Sequence, residues 1–211
     1  MQAFNKIREP DPTGTTTGRI LVSAGIAIFG FLIGIFQKWL DSMAVNELPA
    51  LFQKLDLTNY FGRLAVWILI ASAIAVCAKS PRRASLNCFL FFACMLAGYY
   101  LYCQLVLGFL PVSYMMVWAG MAVASLPLAY VCWYAKGRGI PAIVISAGIL
   151  GVLLAQAVLL VQGIMVTHVT EVITWLCALV LLRRPWKEFL AVIGLSVPVA
   201  AVYQLCIPNW G

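Results

Sequence analysis

The chain has 211 residues, of which 64% are hydrophobic and only 10% charged, with a formal net charge of +7. An ordinary soluble domain carries roughly a quarter charged residues, so this composition excludes a water-soluble fold and points to a bilayer. Membrane spans of about 20 residues each use up nearly the whole chain and leave no room for a separate soluble domain. The predicted fold is all-α, a polytopic transmembrane helical bundle of about seven membrane-spanning helices with one short amphipathic surface helix.

Residues 1–17 are polar and precede an apolar stretch long enough to span, so they read as a cytoplasmic tail and not as a cleavable signal. Residues 13–18, rich in Thr and Gly, are expected to be mobile. Residues 18–211 form a single transmembrane domain. Its first span, 18–40, carries Ser23, Ala27, Gly30, Gly34 and Gln37 on one face. Small residues spaced in this way admit close backbone approach, either inside the bundle or to another membrane protein. The external loop at 41–59 repeats Leu48, Leu51, Phe52 and Leu55 with helical period, and Pro49 suits a first helical turn. An amphipathic helix lying on the membrane or folded over the bundle follows.

The remaining spans are predicted at 60–78, 84–107, 111–134, 141–161, 165–182 and 185–205, with Gly, Pro and charge marking the boundaries. Pro127 and Pro198 fall inside helices, where lipid-embedded bundles tolerate them as kinks. Ala147, Gly151 and Ala155 form a second small-residue stripe on the fifth span. Lys79, Arg82 and Arg83, then Lys136 and Arg138, then Arg183, Arg184 and Lys187 occupy alternate links, whereas residues 107–113 and 162–167 hold no Lys or Arg. Basic loops stay on the cytoplasmic side, which predicts a multi-pass protein of the cell membrane with its N-terminus cytoplasmic and its C-terminus extracellular. The positive excess sits in those loops, where anionic lipid headgroups account for it. The expected partner is the lipid bilayer, and no nucleic acid is expected.

The sixth span carries the chemistry. Thr167, Glu171, Thr174 and Ala178 share a helical face, and His168 lies three residues before Glu171. Apart from Glu188 at a cytoplasmic helix start, Glu171 is the sole acidic residue inside the predicted spans. An ionisable group at membrane depth turns toward the bundle interior or a wet cavity and marks a function. The competing reading is interfacial, because Glu171 lies two turns from the outer end, within reach of headgroups. Gln104, beside Tyr99, Tyr100 and Tyr102, is placed near the same outer end. Glu171, His168, Thr174 and Gln104 are thus the candidate substrate-binding residues, suited to a cation, a cationic solute group or a proton relay. Asn87, Gln156 and Gln204 read as hydrogen-bonding glue between helices.

No metal or cofactor is expected, since a metal centre wants three or four ligands and the chain has one His. No catalytic constellation appears, so the chain is not read as an enzyme. Its seven cysteines include no CxxC pair, and those at membrane depth act as small hydrophobes. Only Cys103 and Cys206 approach the outer face, which leaves a disulfide between them open.

The run SPRRASLNCFLFFACMLAGYYLY at 80–102, with Gly108-Phe109 and WYAKGRG at 133–139, resembles a family of uncharacterised multi-pass membrane proteins of Firmicutes. That resemblance covers about residues 80–139 and implies no activity. In outline, a small all-helical protein with an external loop after its first helix is similar to the substrate-binding subunits of energy-coupling-factor transporters, which typically have six helices. The function expected first is binding or transport of a small solute or ion through an outward-facing pocket, with the surface helix as its gate. The alternative is a non-transporting interaction or assembly role, with another membrane protein bound through the Gly30 face and the basic loops.

Overall fold

A computed structural model of the protein describes residues 6–13, 15–161 and 163–207. The first residues of the predicted tail and the last four of the predicted domain lie outside the described residues. Helix α1 spans Thr16–Ser42, started by Thr15, whose hydroxyl accepts from the Gly18 N–H at 3.1 Å. Two short helices, α2 (Ala50–Lys54) and α3 (Leu57–Gly62), fill the following loop. Then come α4 (Ala65–Cys77), α5 (Pro81–Tyr102), α6 (Val112–Cys132), α7 (Gly139–Ala157), α8 (Val169–Leu181) and α9 (Trp186–Cys206). The all-α bundle predicted from composition is present, and each predicted span has an apolar helix at its place.

Five of those helices are long and apolar enough to cross a membrane: α1, α5 with its continuation to Leu107, α6 with its continuation to Lys136, α7 and α9. The expectation of seven spans is corrected at the other two. Helices α4 and α8 have 13 residues each, about 20 Å of helix against a hydrocarbon core of about 30 Å. The second predicted span breaks at Arg63, which leaves the helical region and caps α3. The Phe61 carbonyl freed there accepts from Gln37 Nε2 at 3.2 Å and Trp67 Nε1 at 2.9 Å, so the break leaves that carbonyl satisfied. The sixth loses its first turn because Met165–Val166 pairs antiparallel with Val158–Leu159 as a small hairpin. Short apolar runs do not distinguish strand from helix by periodicity.

The long loop at 43–64 is three separate turns instead of one surface helix: a 3₁₀ turn at Val45–Glu47, then α2 and α3. It folds over the bundle, with Leu48 buried and Phe52 edge-on to Phe36 of α1. Asp56 between α2 and α3 adopts a left-handed φ of 49°, a region that Asp visits more readily than most residues.

Glycines set the closest approach. A Cβ at Gly30 or Gly34 would press into the Phe91 or Met95 carbonyl of α5, and one at Gly98 of α5 would press into the Phe31 carbonyl of α1. The Gly30 face is thus used inside the bundle. Gly151 plays the same part for α7 against Val199 and Ser196 of α9. Helix α4 sits centrally, touching α5, α6, α7 and α8, whereas α6 leans on α5 and meets α7 only sparsely. Helices α6 and α9 run through Pro127 and Pro198 without ending.

The basic links gather at one end. Arg8 donates to the carbonyls of Trp133 at 2.6 Å and Val76 at 3.0 Å, with its guanidinium 4.2 Å from the centre of the Trp133 ring. Lys79 reaches Thr13 and Asp11, and Arg184 donates to the Ala135 and Gly137 carbonyls. Arg8 and Arg184 thereby satisfy carbonyls left free at helix C-termini. Within the segment expected to be mobile, Thr13 accepts from Lys79, Thr15 caps α1, and Thr16 already belongs to that helix.

Candidate functional site

At the end of the bundle away from the basic links, three chain breaks meet. Arg63 lies between α3 and α4, Asp56 between α2 and α3, and Glu171 in the first turn of α8. Glu171 is 1% exposed and its Oε1 accepts from Arg63 Nε. Its Oε2 accepts from the Thr170 hydroxyl at 2.9 Å. Arg63 also reaches Asp56 Oδ2 at 3.2 Å, and its Nη2 is buried with no partner among the described residues. One turn further along α8, the Thr174 hydroxyl donates to the Thr170 carbonyl at 2.8 Å and shares a 2.6 Å hydrogen bond with the Tyr60 hydroxyl. Acidic side chains in a first helical turn face the positive end of the helix dipole, and Glu171 occupies that position in α8.

Glu171 is therefore buried, and the interfacial reading does not describe it. The sequence stripe holds from Glu171 through Thr174 to Ala178, all buried, with Thr170 in place of Thr167. Thr167 precedes the helix and donates to the carbonyls of Gln156 at 2.5 Å and Ala157 at 3.0 Å. His168 is the extended residue capping α8, and its side chain makes no capping hydrogen bond. Gln104 is exposed within a π-helical turn, Cys103–Leu107, that closes α5. The fold thus joins Glu171 and Thr174 through Tyr60 and Arg63, while Gln104 is not among their hydrogen-bond partners.

Sequence reading missed Arg63. Its countercharge occupies the place assigned to a cationic solute, because a cation supplied by the chain itself already neutralises Glu171. The one signal available was a basic residue inside an apolar run of the second predicted span.

A larger space lies next to the ion pair. Leu64, the residue after Arg63, begins the lining of a cavity of about 350 Å³ walled by α4, α5, α6 and α7. Trp67 and Ser72 of α4, Phe92 of α5, Trp118 of α6 and Ile149 of α7 face it. Its walls are almost wholly apolar, and no residue of a helix-connecting loop apart from Leu64 lines it. Apolar cavities of about 150 Å³ stay dry and bind benzene, so this one has room for a considerably larger apolar group.

Among the glue residues, Asn87 accepts from Ser23 at 2.8 Å. Gln204 joins α9 to the hairpin, donating to the Ala155 and Val158 carbonyls and accepting from the Leu160 N–H at 2.9 Å. Gln156 Nε2, by contrast, is buried without a partner among the described residues. All seven cysteines are free, with Cys103 buried and Cys206 exposed. Among the described residues no three His, Cys, Asp or Glu side chains cluster as a metal site would require. The fold and its apolar helices define an integral membrane protein in a lipid bilayer. No family model, curated protein or solved structure matches the chain.

Proposed function

We propose that the protein binds a small molecule at membrane depth, in the cavity between α4, α5, α6 and α7, and hands it across or along the bilayer. The observation that carries this reading is the cavity itself, since close-packed protein interiors rarely leave voids of this size unused. The solute-handling function expected from sequence is kept, and its site moves from Glu171 to the neighbouring space. In this reading the Arg63–Glu171 pair is a latch. It fixes the first turn of α4, which is one wall of the cavity, against α8, and releasing it frees that wall to move.

The basic end faces the cytoplasm of the cell in this proposal, by the asymmetry of Lys and Arg, so α9 ends outside. An assembly role finds less support, because the Gly30 face is filled by α5 and Arg8, Lys79 and Arg184 are engaged within the chain.

Native mass spectrometry of gently extracted protein tests the reading. The wild type should retain one small molecule per chain. Gly148→Phe should lose it, because Gly148 lines the cavity and a Cβ there meets nothing within 4 Å. A bare wild type, or a variant that retains the same mass, would overturn it.

A further inference from the structure

We infer that the cavity takes the hydrocarbon chain of a bilayer lipid, entering sideways between α6 and α7; this rests on the ligand-binding reading above and names its ligand class. Four observations carry it. First, the cavity is lined by none of the charged side chains that tie the two ends of the bundle. The Arg8, Lys79 and Arg184 contacts tie one end of the bundle and the Arg63–Glu171 pair ties the other, and no residue of either network lines the space.

Second, the space is bordered where the packing is thinnest. Helix α6 meets α7 only sparsely, and Leu128 of α6, a lining residue, is 63% exposed toward what is lipid in the membrane. Gly148 on the facing side of α7 leaves open space where a side chain would stand. Third, the wall is long. Lining residues on α6 recur along a single face from Trp118 to Cys132, a rise of about 21 Å, which suits an extended chain lying along the helices better than a compact polar molecule.

Fourth, the polar inventory is minimal. Ser125 is spent on the Ala122 carbonyl at 2.6 Å. Ser72 is 3% exposed, lines the space and has no hydrogen-bond partner among the described residues. A sugar, amino acid or nucleotide would leave several polar groups unmatched against these walls, at a cost in free energy for each. A hydrocarbon chain leaves none unmatched, and Ser72 is available to a single ester carbonyl.

The test reconstitutes the full-length protein in vesicles of phosphatidylcholine doped with a phosphatidylcholine that carries a photoreactive diazirine at the end of one acyl chain. Labelled positions are then mapped by peptide mass spectrometry. Label should appear on cavity residues such as Ser72, Phe92, Met95 and Ala122, as well as on the outward-facing Leu21 and Leu32 of α1. In Gly148→Phe the cavity label should fall at least fivefold while the α1 label stays unchanged. Gly120→Phe, whose position on α6 also has open space but does not line the cavity, should label like the wild type.

Label confined to outer surfaces in the wild type overturns the inference, and this map decides even if Gly148→Phe fails to fold. Cavity label that survives Gly148→Phe overturns the lateral entry. If the cavity stays unlabelled while native mass spectrometry still finds a water-soluble molecule retained, the lipid assignment fails and the binding reading stands. If nothing is retained, both fail.

Discussion

Removing Arg63 strands the Glu171 charge, which is 1% exposed, whereas removing Glu171 leaves Arg63 its second partner, Asp56. Breaking a buried pair costs about 3–5 kcal/mol, whereas replacing both members by apolar groups of similar volume is far milder. Arg63→Met is therefore expected to lower the thermal unfolding temperature in detergent markedly, and Arg63→Met with Glu171→Leu to recover most of the loss. Strictly additive losses would show that the two side chains act independently. The same pair marks the limit of what the sequence discloses. An acid in a hydrocarbon span is visible from Glu171 alone. Its partner lies 108 positions away, and no local spacing reports a contact at that range. Gln104 lies apart from the Glu171 hydrogen bonds for another reason: it sits in the π-helical turn at Cys103–Leu107, whose register a 3.6-residue period does not anticipate.

Among elements, the α1–α5 contact is the most exacting. Gly34→Ala puts a methyl against the Met95 carbonyl, with backbone on both sides, and overpacking of this kind costs about 1–3 kcal/mol. Gly25→Ala on the same helix meets nothing within 4 Å and should leave stability unchanged or raise it by up to about 1 kcal/mol through helix propensity. Thermal unfolding of the two variants side by side checks the contrast, and equal effects would refute the packing described. The Gly30 and Gly34 stripe was legible because close helix contact demands small residues at that spacing. The breaks before α4 and α8 were not, because hydropathy registers an apolar run whether its backbone is helical, extended or bent.

The N-terminal arm adds a pH-dependent element. Hydrogen bonds from Thr13, and then the Lys79 ammonium, hold the Asp11 carboxyl below its ordinary range. Its contribution to arm docking is thus complete at neutral pH and disappears as pH falls through that lowered value. Protection factors of the amides across residues 6–13, corrected for the intrinsic exchange rate at each pH, should fall in acid, and Asp11→Asn should abolish that fall. An unchanged pH profile in that variant would assign the effect elsewhere.

For the whole molecule, composition alone specified a membrane-embedded helical bundle, because so apolar a chain has nowhere else to place its surface. The cavity was invisible at that level. It arises because α6 packs on α5 and stands away from α7, a matter of helix placement that no single helix encodes. Sidedness is testable at this scale too. Cys206 is exposed at the end of α9 and Cys77 is exposed at the basic end of α4. In intact cells a membrane-impermeant maleimide should label a variant whose only cysteine is Cys206 and spare one whose only cysteine is Cys77, and the reverse would invert the proposed orientation.

The most direct test of the ligand site is a cryo-electron microscopy map of the protein in lipid nanodiscs. The account predicts continuous non-protein density between α4, α5, α6 and α7, passing Ser72 and reaching the bilayer through the α6–α7 gap. Helix α6 closed tightly onto α7, with no space between them, would contradict it.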